Sequence, residues 1–148
     1  MRGFQVAKGF EDKEVKIPQR QTGKSAGYDL SVVNGATIYP GTFSIFNTGL
    51  KAYMQDDEFL SMHVRSSLGI KKNLMLANTT GIIDSDFYEN PENDGHIRIA
   101  LYNMSDAPVE IADGERVVQC IFSKYLTVDK DTPKTEERKG GIGSTGHE

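Results

Sequence analysis

From His96 to Asn103, Ile97, Ile99 and Leu101 alternate with Arg98, Ala100 and Tyr102. A period of two lays one face of an extended chain on a core and the other in water, so this run predicts a half-buried strand. Thr42 to Met54, Glu58 to Arg65, Leu74 to Ile83 and Arg116 to Phe122 read similarly, the last two as more fully buried strands. Turn-forming pairs punctuate the runs: Asn34-Gly35, Pro40-Gly41, Asp94-Gly95 and Asp113-Gly114. No segment keeps a helical period for more than two turns, and the one candidate, Ser67 to Asn73, is interrupted by Gly69. The pattern predicts an all-β barrel or sandwich. Beyond Thr127 its character changes, with a charged KDTPKTEERK followed by the glycine-rich GGIGSTG. Such a stretch has almost nothing to bury and reads as a tail.

Composition narrows the function classes. A chain of 148 residues is one domain's worth, able to bury roughly 70% of its unfolded surface. The single cysteine, Cys120, excludes an internal disulfide and a Cys-rich zinc site, in keeping with a reducing cytoplasm. No run has the length of a membrane span and the first ten residues lack a signal peptide's apolar stretch, so a soluble, unexported protein with no membrane partner is expected. The formal net charge of -4 argues against a nucleic-acid partner. A free nucleotide remains open, since a triphosphate paired with a divalent metal needs only a few local cations.

Several suggestive strings lack what their chemistry requires. Thr22-Gly23-Lys24-Ser25 ends like a P-loop, but Pro18 stands where that motif needs glycine. The run from Asp84 begins like a calcium loop, yet Glu89 and Gly95 occupy its sixth and twelfth positions. His63, His96 and His147 are scattered singly, so ordinary surface or strand histidines are the better reading than a metal cluster.

Five clusters could carry chemistry. In Ala26-Gly27-Tyr28-Asp29-Leu30 a carboxylate sits in a short strand, where it is commonly just solvated. Arg65-Ser66-Ser67-Leu68-Gly69 groups a cation, two hydroxyls and a helical turn, which suits phosphate oxygens as well as it suits an ordinary Ser cap. Gly81-Ile82-Ile83-Asp84-Ser85-Asp86-Phe87 ends an apolar strand on an acid that could activate a water or merely form a turn. Gly114-Glu115-Arg116-Val117-Val118-Gln119 puts an amide in an apolar strand, where its partner could be protein or ligand. Arg138-Lys139-Gly140-Gly141-Ile142-Gly143-Ser144-Thr145-Gly146 exposes backbone N–H groups able to wrap a small anion, or is a loose terminus.

Together and in this order the clusters resemble the five motifs of the trimeric dUTPase family, from about Ala26 to Gly146. The long loop Tyr88-Glu89-Asn90-Pro91-Glu92-Asn93-Asp94-Gly95 is closest to members from Gram-positive bacteria and their phages. The resemblance implies a jelly-roll-like β-barrel over residues 1–128 and a flexible Gly-rich C-terminal arm over residues 129–148. It implies hydrolysis of dUTP to dUMP and pyrophosphate, which limits uracil incorporation into DNA and supplies dUMP for thymidylate synthesis. Asp84 would be the general base, Asp29 would hold Mg²⁺ through water, and Arg65, Ser66, Ser67 and Gln119 would contact phosphates. Asn78, with backbone groups of Ile82, Ile83 and the returning strand near Arg98, would read uracil in a hairpin too tight for a 5-methyl group. Phe87 replaces the family's tyrosine: its ring would pack beneath the deoxyribose and leave no room for a 2′-hydroxyl, without the tyrosine's hydrogen bond, and Tyr88 next door could substitute for the hydroxyl although adjacent strand residues face opposite ways. In the arm Arg138 would meet the γ-phosphate near Gly143, Ser144 and Thr145, while Ile142 stands where most members stack a phenylalanine on the base. A homotrimer with shared active sites is implied.

Two rival readings stand beside this one. A dCTP deaminase shares the fold and the Arg-Ser-Ser cluster, although the Asp84 segment and the arm favour pyrophosphate release. A nucleotide-gated module with a regulatory protein partner, if the chain is phage-encoded, is the second.

Overall fold

In the computed structural model, which describes residues 1–141, eleven strands, one short helix and one 3-10 turn form. All strand pairs are antiparallel. β1 (Gly3–Val6) pairs with β5 (Leu50–Tyr53), and β3 (Ala36–Ile38) pairs with β10 (Val109–Ile111). A three-stranded sheet runs β4 (Phe43–Asn47), β9 (Arg98–Asn103), β7 (Leu74–Leu76). The four-stranded sheet that carries most of the candidate chemistry runs β2 (Tyr28–Ser31), β11 (Arg116–Lys124), β6 (Glu58–Val64), β8 (Gly81–Asp84). The architecture is all-β, as the alternation predicts, in four separate sheets rather than one closed barrel.

Two predicted strands are each broken in two. Thr42 to Met54 divides at Thr48-Gly49, where Gly49 has φ 72° and a Cβ would lie 2.5 Å from Val15 Cγ2. Only glycine fits there, and the chain passes from β9's neighbour to β1's neighbour. Leu74 to Ile83 divides at Ala77–Thr80, with Thr79 at φ 63°, so that β7 and β8 enter different sheets. Alternation continues through both breaks because each half still points one face at the same core, and periodicity does not register the change of sheet. The helical turn does form, as α1 (Ser66–Lys71), and Leu68 anchors it in the core. No described helix is long and apolar enough to cross a membrane.

The core is built from Leu30, Ile38, Leu60, Leu76, Ile99, Leu101 and Val118, all at most 1% exposed. Asn103, fully buried, donates from Nδ2 to the carbonyls of Ile38 and Ala107 and accepts the Ser105 N–H. Those bonds satisfy an amide that would otherwise be costly inside the protein. Cys120 is buried, and burial pushes its thiol well above the usual range, which agrees with a space-filling role.

His96 proves to be a packing residue. Its Nε2 accepts the Gly49 N–H at 3.1 Å, its ring lies 4.4 Å from that of Phe10, and burial, helped by Arg98, pushes its pKa down to about 4. The unfolded value is near ~6.5, so the folded state favours the neutral ring. Its contribution is complete above that value and is lost as pH falls through the window down to about 4. The ring is only half-buried, which limits the expected loss to roughly 1–2 kcal/mol. Urea midpoints at pH 7 and pH 4.5 check this: His96→Gln should lose less stability between the two than the wild type, and an equal loss would refute it.

Candidate active site

Strand register gathers one group of predicted residues. Asp29 on β2 lies opposite Gln119 on β11, which lies opposite His63 on β6. Directly opposed side chains share a sheet face, so the three point the same way, away from the core face of Leu30, Val118 and Cys120. Gln119 is half-buried, and among the described residues its amide makes no hydrogen bond to protein; it lies beside Gly27, where a Cβ would come within 2.8 Å of Oε1. Arg65 precedes α1 and, through its backbone N–H, bonds the Val117 carbonyl, while its Nη1 donates to the Arg116 carbonyl. This holds exposed Ser66 and half-buried Ser67 at the sheet end. Asp29, 11% exposed, meets Arg116 Nη1 at 3.1 Å and Arg65 Nε at 3.7 Å, both through Oδ2. It is therefore no lone carboxylate. A hollow of about 160 Å³ beside it is lined by Lys16, Gln19, Ser31 and Arg116 among others.

A second group forms around Asp84, the last residue of β8, whose side chain is 53% exposed. The 3-10 turn Ser85–Phe87 follows it directly. Arg138 reaches back to this turn: Nη2 meets Asp84 Oδ2 at 2.5 Å, Nε meets Asp86 Oδ1 at 2.6 Å, and the guanidinium lies 5.9 Å over the Phe87 ring. The chain at Arg138 thus rests on this turn, held by two exposed carboxylates and by the Phe87 ring, with the Arg138 side chain 13% exposed. Tyr88 does not replace the missing tyrosine hydroxyl near Phe87, because its own hydroxyl is spent on Gln5 Oε1 at 2.6 Å. Ile142, Gly143, Ser144 and Thr145 lie outside the described residues.

Asn78 occupies the exposed turn between β7 and β8. Ile83 is buried, Ile82 is 56% exposed, and β8 is an edge strand paired only with β6. Arg98 lies opposite Asn47 of β4, and β7 covers β9 only from Leu101 onwards, with one further bond from Ala77 N to Ala100 O. Among the described residues no ladder joins β8 to β9. The outer backbone edge of β8 and the backbone of Arg98 are therefore not spent on each other.

The two groups do not meet within one chain. Asp29 and Asp84 share a sheet face, since Asp84 registers with Phe59 and Asp29 with His63. Three strand spacings and four residues along β6 separate them, which is about 20 Å.

The dUTPase family profile matches residues 13–146. The chain belongs to the dUTPase family. A deoxyuridine 5'-triphosphate nucleotidohydrolase from Lactococcus lactis is 46% identical over 147 residues, covering 99% of this chain and 98% of that one. The crystal structure of the dUTPase from Streptococcus mutans superposes with a TM-score of 0.79 at 43% identity, over 86% of this chain and 98% of its own. A mutant dUTPase of phage phi11 of S. aureus, described as coordinating a structural Mg(II) ion, shares the fold at a TM-score of 0.72 and 15% identity, over 93% of this chain and 99% of its own. Sequence reading gave no role to Arg116 or Asp86, which the structure places on Asp29 and on Arg138. For Arg116 the signal was there: a cation opening a strand that is otherwise apolar.

Proposed function

We propose that the chain converts dUTP and water to dUMP and pyrophosphate, with the phosphate half of each site supplied by one copy and the base half by another. Family membership supports the reaction, and one observation carries the sharing: the two residue groups sit about 20 Å apart, whereas a general base and its target must come within roughly 3.5 Å. That separation favours a site assembled from two copies over one built within a single chain. A homotrimer answers it if Asp84 of one copy meets Arg65, Ser66, Ser67 and Gln119 of its neighbour.

Asp84, half-exposed at a strand end, takes a proton from water. The water oxygen bonds to the α-phosphorus while the bridging oxygen departs with pyrophosphate. Arg65, Ser66, Ser67 and Gln119 hold the triphosphate, and the unpaired Gln119 amide is suited to that work. Asn78 with the backbone edges of Ile82, Ile83 and Arg98 reads the uracil, and the Phe87 ring packs beneath the deoxyribose. Residues 129–148 act as the arm, in which Arg138, Gly143, Ser144 and Thr145 engage phosphate and Ile142 covers the base.

The donor set fits Mg²⁺ held in part by substrate. No group of three or more His, Cys, Asp or Glu side chains forms a cage among the described residues. Asp29 spends Oδ2 on the guanidiniums and keeps Oδ1, so it can hold the ion through water, in the manner of Mg²⁺ sites that combine one carboxylate with substrate phosphates. When bound, the ion neutralises triphosphate charge. A cytoplasmic location accords with the single reduced cysteine.

Purified protein with Mg²⁺, offered dUTP, dCTP, dTTP and UTP side by side, should release pyrophosphate rapidly from dUTP alone. Ammonia from dCTP would support the deaminase reading instead, which the family match does not favour.

A further inference from the structure

The loop after Phe87 is braced far more heavily than a surface connection needs. Asn90 is 5% exposed. Its Nδ2 donates to the Phe87 carbonyl at 2.8 Å and to Asn93 Oδ1 at 2.7 Å, and its Oδ1 accepts the N–H groups of Glu92 and Asn93. Its backbone N–H makes a second bond to the same Phe87 carbonyl. Every polar capacity of this amide is therefore used, and two of the residue's three N–H donors converge on the Phe87 carbonyl.

The ends of the loop are locked as well. Glu89 and Asp94 both adopt positive φ, 54° and 63°, which non-glycine residues seldom hold without support. The support is Lys51, whose side chain is 10% exposed and whose Nζ bonds Glu89 at 2.7 Å and Asp94 at 2.9 Å. Asp94 also accepts the Lys8 N–H. At Gly95 a Cβ would lie 2.7 Å from the Phe87 carbonyl and 2.9 Å from the Glu89 nitrogen, so the returning chain presses on the same peptide. Phe87 is held from its backbone, while its ring is only half-buried.

We infer that Asn90 is a positioning residue for sugar selection: by fixing the Phe87 peptide it fixes the ring that excludes a 2′-hydroxyl. The inference rests on the proposed dUTP reading and adds to it a residue that does not touch substrate. A ring that can drift by an ångström leaves space for one more oxygen, so losing Asn90 should cost selectivity rather than the chemical step.

Steady-state kinetics on dUTP and UTP test this with Asn90→Ala, and with Asn90→Asp, which keeps the volume and the two acceptor bonds but loses both donors. Folding is checked by thermal unfolding, and the aspartate variant serves if the alanine variant does not fold. The dUTP-over-UTP ratio of kcat/KM should fall about tenfold or more, with kcat on dUTP much less affected. Phe87→Ala should lower the same ratio, and combining it with Asn90→Ala should lower it no further, since both act through one ring. Folded Asn90 variants that discriminate like the wild type, or losses that add in the double variant, would overturn the inference. Wild-type protein releasing no pyrophosphate from dUTP would instead overturn the reading beneath it.

Discussion

Asp84→Asn should reduce kcat on dUTP by about 10²–10⁴-fold, the usual contribution of a general base, while KM stays within a few-fold of the wild type. Asparagine has the shape of aspartate and cannot take the proton from water. The substitution is structurally mild: the Asp84 side chain is 53% exposed, and it pairs with Arg138. Arg138 keeps its second partner Asp86, and a pair with one half-exposed member contributes little to stability, so the melting temperature should be nearly unchanged. The measurement is turnover at saturating dUTP together with thermal unfolding. Near-normal kcat in a folded variant would remove Asp84 from the chemistry, and a defect confined to KM would make it a binding residue.

Mixing two dead variants should restore activity. Asp84→Asn keeps the group around Asp29, whereas Arg65→Ala keeps the group around Asp84, and each alone should be inactive. If a site takes one half from each of two copies, random co-assembly at equal amounts should recover about a quarter of wild-type activity, because each half is intact with a chance of one in two. Co-expression with two different tags, followed by sequential purification, yields the mixed assembly. Sites built within one chain would show no recovery, and that result would defeat the shared-site reading.

The sequence carried the strand content because alternation at positions such as Ile97, Ile99 and Leu101 follows directly from burial of one face. It also marked the turns, with Gly41 at φ 72°, Gly95 at φ 81° and Gly114 at φ 74°. What it could not supply was partnership. Nothing in Thr42 to Met54 says that one half pairs with β9 and the other with β1, since that choice belongs to the whole core. The same limit applies to chemistry. Asp29, Arg65 and Gln119 were each visible as candidates, but their convergence is a property of register. Asn90 looked like one more polar residue in a loop, and only the bonds to Phe87 set it apart.

Arg138 lies on Asp84 and Asp86. One guanidinium carries one positive charge, and while it neutralises those carboxylates it is not available to a phosphate. Whatever draws Arg138 onto a phosphate uncovers Asp84 in the same movement. On the proposed reading, substrate phosphate and the two carboxylates therefore compete for one cation.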